Sequence, residues 1–337
     1  MRVLLLSAAL GVLASLVIPA LATGQADTTW QVEEIEFQAP DGVELTGLLL
    51  IPDGVGPFPG AVIIQGSGDS DRTNLWARTV AQTLARAGIA TLLPDKRGSG
   101  ESGGEWLSAS FEVLARDALA TVERVQANPK IGYVGLVGLS QGGHIAPLAA
   151  AIADVAWVVD VSGAAVTVAE QIRHEIANTA REAGLSPEAV EAVVEIQRLA
   201  EGYVEAGEWQ PYAQAIESAE GKPWQEIAEG FPDSPQSPIW DWARLNGTYD
   251  PIPYWKDVDV PILVAYGEED EDDNVPVAES VHRLEAALAG HDDATIRVFA
   301  GAGHALWAAD ATQEDLRLNA EFVELLTEWI LDRSDQK

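Results

Sequence analysis

Three residue types at telling positions could do chemistry together: a serine, a histidine and a carboxylate. Ser140 stands in Gly138-Leu139-Ser140-Gln141-Gly142, a G-x-S-x-G arrangement. The apolar run YVGLV precedes it and the small-residue run HIAPLAAAIA follows it. A serine hydroxyl attacks a carbonyl when a base takes its proton and donors hold the oxyanion that develops. A sharp strand-to-helix turn suits this task. The flanking glycines let the chain pass itself, and the turn lifts the hydroxyl to the carboxyl end of the sheet. The next N–H, that of Gln141, falls at a helix N-terminus, where negative charge is favoured. The competing reading is a plain glycine-rich connection.

The base must be one of five histidines. His144 lies one turn after Ser140 on the same predicted helix and reads as a packing residue. His174 sits in a helical insertion, His282 in a helical pattern and His291 in the polar turn GHDD. His304 differs. It follows the last predicted strand in FAGAGHALW, where Gly301 and Gly303 leave room around its ring. A loop there can carry a base over the serine, so His304 is the candidate general base. The base needs a carboxylate to fix its tautomer and stabilise its charged form. The loop GEEDEDDNVP offers Asp270, Asp272 and Asp273. Distance from the strand end favours Asp270, and spacing back from Val275-Pro276 favours Asp272. Asp270 is preferred, because the end of the strand sets where the carboxylate can point. A second oxyanion donor is expected from the loop at 65–72, QGSGDSDR, through the Ser67 N–H. Arg72 in that loop would clamp it to a carboxylate or meet an anionic substrate, the clamp being preferred.

Positioning these groups takes alternating strands and helices. Apolar runs bounded by Gly, Pro and Asp alternate with longer helical patterns, the mark of a mainly parallel α/β sheet. Strands are predicted at 31–38, 43–52, 60–65, 89–94, 131–137, 156–161, 261–266 and 295–299. The first two form an antiparallel hairpin across Pro40-Asp41-Gly42. Helices are predicted at 75–87, 111–126, 141–152, 277–288 and 313–331. Between 162 and 258 the rhythm breaks and only helical patterns remain. This insertion holds Trp209, Trp224, Trp240, Trp242 and Trp255, most of them expected in a small core of its own. Trp106 and Trp307, near the reactive loops, are the candidate pocket walls.

The remaining features bound the class. Residues 1–22 carry Arg2, a mostly apolar run and the closing Ala20-Leu21-Ala22, which reads as a signal peptide cut after Ala22. The run is near the lower length limit of a spanning helix, so an uncleaved anchor is the alternative. The expected mature chain is exported and holds no stable membrane insertion. The absence of cysteine excludes a thiol nucleophile and thiolate metal sites. No H-E-x-x-H or other dense ligand pattern points to a metal, and no cofactor is expected. A net charge of −33, with lysines scattered at 96, 130, 222, 256 and 337, argues against a nucleic-acid partner.

The pieces QGSGDSDR, DKRGSGES, GLSQGG, YGEEDEDDNVPV and GAGHALW run in family order through all but the insertion. Together they make the chain resemble the α/β-hydrolase superfamily, and within it bacterial serine esterases grouped with dienelactone-hydrolase-like and acylaminoacyl-peptidase-like proteins. The resemblance implies a mostly parallel eight-stranded sheet flanked by helices, with a helical cap between strands six and seven. The core would span 23–161 and 259–337, and the cap 162–258. It further implies Ser140, Asp270 and His304 as the triad, with the backbone of Ser67 and Gln141 as the oxyanion hole. Gln65 departs from the pattern, standing where many relatives have histidine, and the acidic loop is longer than usual. The expected activity is hydrolysis of small to medium acyl esters through an acyl-enzyme. A peptidase or amidase with the same triad, and a non-catalytic binding protein on the same fold, are the rivals. The sequence leaves the oligomeric state open.

The acidity has two readings: a soluble, self-repelling surface, or adaptation to high salt, where screening relieves that repulsion. The second predicts a thermal unfolding midpoint that climbs with added sodium chloride; a flat profile would count against it.

Overall fold

The computed structural model describes residues 30–333; the expected signal peptide at 1–22 lies outside them. Eight strands form one sheet: β1 (Trp30–Gln38), β2 (Glu44–Pro52), β3 (Phe58–Ile64), β4 (Ala90–Pro94), β5 (Ile131–Leu139), β6 (Val158–Val161), β7 (Ile262–Gly267) and β8 (Ala294–Phe299). Their spatial order is β1-β2-β4-β3-β5-β6-β7-β8. β1 pairs antiparallel with β2 and β2 antiparallel with β4, and every other pair is parallel.

Helices α1 (Leu75–Arg86), α2 (Phe111–Gln126) and α3 (Gln141–Ile152) connect the early strands. Between β6 and β7 the regular elements are all helices: α4 (Val168–Glu182), α5 (Pro187–Ala206), α6 (Trp209–Ser218), α7 (Gln225–Ala228), α8 (Ile239–Asn246) and α9 (Ile252–Lys256). Then α10 (Val277–Ala287) and α11 (Ala320–Arg333) complete the core. Among the described residues no helix is long and apolar enough to cross a membrane.

The apolar strand runs have a simple origin. Side chains alternate between sheet faces, and both faces are covered, so both alternating sets must be apolar. Val62, Leu136, Val158 and Val264 pack with Phe111 and Leu114 of α2, Ile145 and Leu148 of α3, and Leu284 of α10. Their neighbours Ile63, Val137, Val159 and Leu263 pack with Val80 and Leu84 of α1 and Phe322 and Leu326 of α11. α1 shows why such a segment is helical. Ala77, Val80, Ala81 and Leu84 repeat at the helical spacing on its buried side, and the Asn74 side chain accepts from the Ala77 N–H at 3.0 Å as N-cap.

The last helix is shorter than the predicted 313–331. Asn319 caps it by accepting from the Phe322 N–H at 3.1 Å. The residues before it fold back instead, through bridges Trp307 to Leu318 and Thr312 to Asp315.

The helical insertion has its own core, in which Ile176, Val193, Ile196 and Phe231 surround Tyr203, Tyr212 and Trp240. The Trp209 and Trp240 rings meet edge to face, with centroids 6.2 Å apart. Trp242 and Trp255 instead join the main core. The insertion is tied down by polar contacts as well. Buried Asn246 accepts from the Phe111 N–H at 2.9 Å and donates to the Ala109 carbonyl at 3.2 Å.

Central strand β5 meets Trp157, the residue just before β6, with no space to spare. A Cβ on Gly135 would lie 2.1 Å from the ring of fully buried Trp157. That ring packs in turn edge to face on Trp329 at 6.4 Å. Gly135→Ala is therefore expected to lower stability by about 1–3 kcal/mol through overpacking, read as a lower midpoint of denaturant unfolding with an unchanged slope.

Candidate active site

The carboxyl ends of β3, β4, β5, β7 and β8 bring their loops to one edge of the sheet. Ser140 sits at the junction of β5 and α3 with φ 53° and ψ −117°, a conformation L-residues avoid. The close approach of the chain imposes it. A Cβ on Gly138 would lie 2.3 Å from the Gly142 carbonyl oxygen, and one on Gly142 would lie 2.1 Å from that of Ile64. The Ser140 N–H donates to the Val161 carbonyl at 2.9 Å, fixing the turn to β6.

His304 Nδ1 and Asp270 Oδ2 are 2.8 Å apart. Asp270 is fully buried, in the tight turn Glu268–Asp272 that follows β7. Its other oxygen accepts from the Asn274 N–H at 3.3 Å. Asp272 is exposed and is not the histidine's partner. Nδ1 donates to the carboxylate, which leaves Nε2 as the basic nitrogen; Nε2 is buried and has no hydrogen-bond partner among the described residues. Burial opposes charge on the ring, but the Asp270, Asp273 and Glu175 carboxylates outweigh it and raise the His304 pKa above its usual value. The backbone of His304 is held too. Ser162, itself at φ 57°, donates its hydroxyl to the His304 carbonyl at 2.7 Å.

Ser140 opens on two cavities. A cleft of about 510 Å³ is lined by Ser67, Asn74, Trp76, Ser140, Asn274 and His304, among others. On the insertion's side, a small cavity of about 40 Å³ is lined by Ser67, Ser140 and Gln141 with Phe111, Val168, Ile172 and Trp242. His144 and Glu175 also reach this small cavity. Ser67 and Ser140 face both spaces, and no acceptor among the described residues takes the Ser67 N–H. Gln141 is the first residue of α3, so its N–H has no partner within the helix.

Trp106 and Trp307 line neither cavity. The Trp106 ring packs 5.5 Å from the Lys96 ammonium, and Trp307 pairs with Leu318 and packs on the face covered by α11. The aromatic walls are Trp76, whose ring centroid is 5.4 Å from that of His304, and Phe111 and Trp242 on the small cavity. His144 is buried between Phe111 and Tyr249, and burial pushes its pKa down to about 4. His282 is exposed, and His291 is half-buried at its turn.

Arg72 clamps its loop: its Nε donates to Asp95 Oδ1 at 2.9 Å, and its guanidinium also pairs with Glu34. Gln65 braces the same loop, donating to the Pro94 carbonyl and accepting from the Ser70 hydroxyl. Two residues of the neighbourhood were passed over in the sequence. Lys96, one scattered lysine by sequence, is buried with its ammonium on Gly66, Gly68 and Gln141. Burial pushes its pKa down to about 7, with Asp69 opposing. Glu175 reaches the small cavity from α4, and burial pushes its pKa up to about 7. Its place within the run DKR marked Lys96 as part of a reactive loop, but nothing local said it points inward.

The site thus brings a serine, a histidine held by a buried carboxylate and two backbone N–H groups to the same cavities. A family model described as the alpha/beta hydrolase family matches residues 61–315. Esterase EstD of Thermotoga maritima is 29% identical over 135 residues, covering 35% of this chain and 33% of that protein. The chain thus matches about a third of the length of this curated relative. An esterase of Pyrococcus furiosus superposes with a TM-score of 0.56 at 17% identity, over 94% of this chain and 95% of its own. A proline iminopeptidase of Mycobacterium smegmatis does so with a TM-score of 0.57 at 16% identity, over 90% and 99%. These two likenesses are of fold. With its mixed eight-stranded sheet, its serine on a strained strand-to-helix turn and a family match over most of its length, the chain belongs to the alpha/beta hydrolase family.

Proposed function

We propose that the protein is a serine esterase that cleaves small to medium acyl esters through an acyl-enzyme. The observation that carries this reading is the 2.8 Å contact between His304 Nδ1 and buried Asp270, with His304 and Ser140 both lining one cleft. His304 takes the Ser140 proton as the hydroxyl attacks the ester carbonyl. The Ser67 and Gln141 N–H groups hold the oxyanion, each such donor being worth about 2.7–4 kcal/mol of barrier. His304 then protonates the leaving alcohol, and afterwards activates water against the acyl-serine.

The two cavities suit the two halves of an ester. The small space walled by Phe111, Val168, Ile172 and Trp242 is apolar on those sides and fits a short acyl group. The larger cleft leaves room for the alcohol. The kinship with EstD supports an ester substrate. A second reading, cleavage of aminoacyl amides, is favoured by Glu175, a carboxylate in the wall of the small cavity that would meet a substrate ammonium.

A panel of p-nitrophenyl esters of increasing acyl length, run beside a matched aminoacyl amide, tests both readings. Turnover is expected to be fastest with short acyl esters, and to fall about 10⁶-fold in Ser140→Ala. Faster turnover of the amide would overturn the ester reading in favour of the second.

The rate should also follow the protonation of His304. The base works only when neutral, so a raised pKa moves the loss of activity at acid pH upward from the ordinary histidine range. Asp270→Asn removes the largest influence that raises it and leaves burial unopposed by that charge. The acid limb of kcat/KM should then move to lower pH, while kcat falls about 10⁴-fold through loss of the correct tautomer. An unmoved limb would count against His304 as the base.

A further inference from the structure

We propose that Lys96 is a positioning residue of the oxyanion hole, its ammonium fixing the Ser67 and Gln141 N–H donors relative to each other. The proposal rests on the serine-hydrolase reading above. Lys96 is the second residue after β4 and is 9% exposed. A cation withdrawn from water must be repaid in hydrogen bonds. Its Nζ donates to the Gly66 carbonyl at 2.9 Å, the Gly68 carbonyl at 3.2 Å and Gln141 Oε1 at 2.8 Å. An ammonium has three donors and no acceptor, so these contacts use it fully.

The identity of the acceptors gives the inference its content. Gly66 and Gly68 flank Ser67, and Gln141 follows Ser140. The Gly66 carbonyl and the Ser67 N–H belong to one planar trans peptide, so they point to opposite sides. Holding the Gly66 oxygen on Lys96 turns the Ser67 N–H away from the lysine. The reactive serine borders this peptide, because a Cβ on Gly66 would lie 3.4 Å from Ser140 Cβ. The third contact ties the Gln141 side chain, and with it the first turn of α3, to the same nitrogen. One atom thereby links two loops that are 75 residues apart at Gly66 and Gln141.

Other bonds already secure the rest of the loop. The Ser70 N–H donates to Ser99 Oγ at 3.1 Å, the Lys96 N–H donates to the Ser70 carbonyl at 3.1 Å, and Arg72 grips Asp95. The segment they leave to Lys96 is Gly66-Ser67-Gly68, whose last residue sits at φ 76°. A side chain of the same length without charge would fill the space and orient nothing.

The test compares wild type with Lys96→Met and Lys96→Arg. It reads kcat and KM on a p-nitrophenyl ester, the rate of Ser140 labelling by a fluorophosphonate, and the melting temperature. Phosphonylation also places an oxygen in the oxyanion hole, so it reports donor geometry whatever the natural substrate. Lys96→Met is expected to lose roughly 100-fold in kcat, with KM changed less than about three-fold and labelling slowed in step. Its melting temperature should fall only modestly, because the Gly66, Gly68 and Gln141 acceptors lose their donor while the cost of burying a cation is relieved. Lys96→Arg should recover part of the loss. A folded Lys96→Met with wild-type kcat and labelling overturns the proposal. Should that variant not fold, Gln141→Met cuts one tether while keeping its N–H, and an unchanged labelling rate there overturns it equally. If wild type labels at Ser140 but turns over no ester, the ester reading alone fails, and the labelling ratio still decides Lys96. A wild type that does not label at Ser140 overturns both.

Discussion

The backbone at Ser140 is the constraint on which the rest of the molecule depends. A non-glycine residue at φ 53° and ψ −117° costs about 1–3 kcal/mol and persists only where its surroundings over-determine it. Here they do. The turn has the Gly142 carbonyl pressed on Gly138 and the Ile64 carbonyl pressed on Gly142. The hydrogen bond from the Ser140 N–H to Val161 closes it from the other side. Parallel pairing of β5 with both β3 and β6 brings those three strand ends together. The strained residue is thus the meeting point of three strands and one helix, and its hydroxyl has little choice of direction.

Charge buried around this point is arranged by loop. Asp95, Lys96 and Arg97 are consecutive, and all three are buried. Asp95 takes Arg72; Arg97 takes Asp117 and Asp41; Lys96 takes backbone and amide oxygens instead of a carboxylate. The outer two fasten the loop to its neighbours, whereas the middle one reaches Gly66, Gly68 and Gln141. A buried ion pair contributes less to stability than its contacts suggest, because desolvation offsets attraction. What such pairs supply here is placement of loops that have few apolar residues to pack.

The helical insertion shares in this placement. His174 and Asn178 of α4 bond to the Glu271 carbonyl, and Asn178 also to that of Asp273. Glu170 of the same helix pairs with Arg283 of α10. The turn that holds Asp270 is therefore gripped from the β7 end and from the insertion. Hydrogen bonds thus join the helix that walls the small cavity to the loop that orients His304.

Much of this was legible in the sequence because it is local. The alternating apolar runs fixed strand and helix identities, since burial on both sheet faces demands continuous apolar strands. Gly138 and Gly142 around Ser140 announced a tight passage of the chain. The two glycines before His304 marked its loop, and the break in rhythm after 161 marked the insertion. The start of the last helix differs from the expected 313 because Asn319 capping and a short fold-back compete with a continuous helical pattern. What only the tertiary structure decided depends on directions between distant loops. It put Asp270, not exposed Asp272, against His304. It took Trp106 and Trp307 away from the cavities and brought Trp76 and Trp242 to them. It turned Lys96 inward. Periodicity reports which face a side chain is on within its own element; it carries no record of which other loop that face will meet.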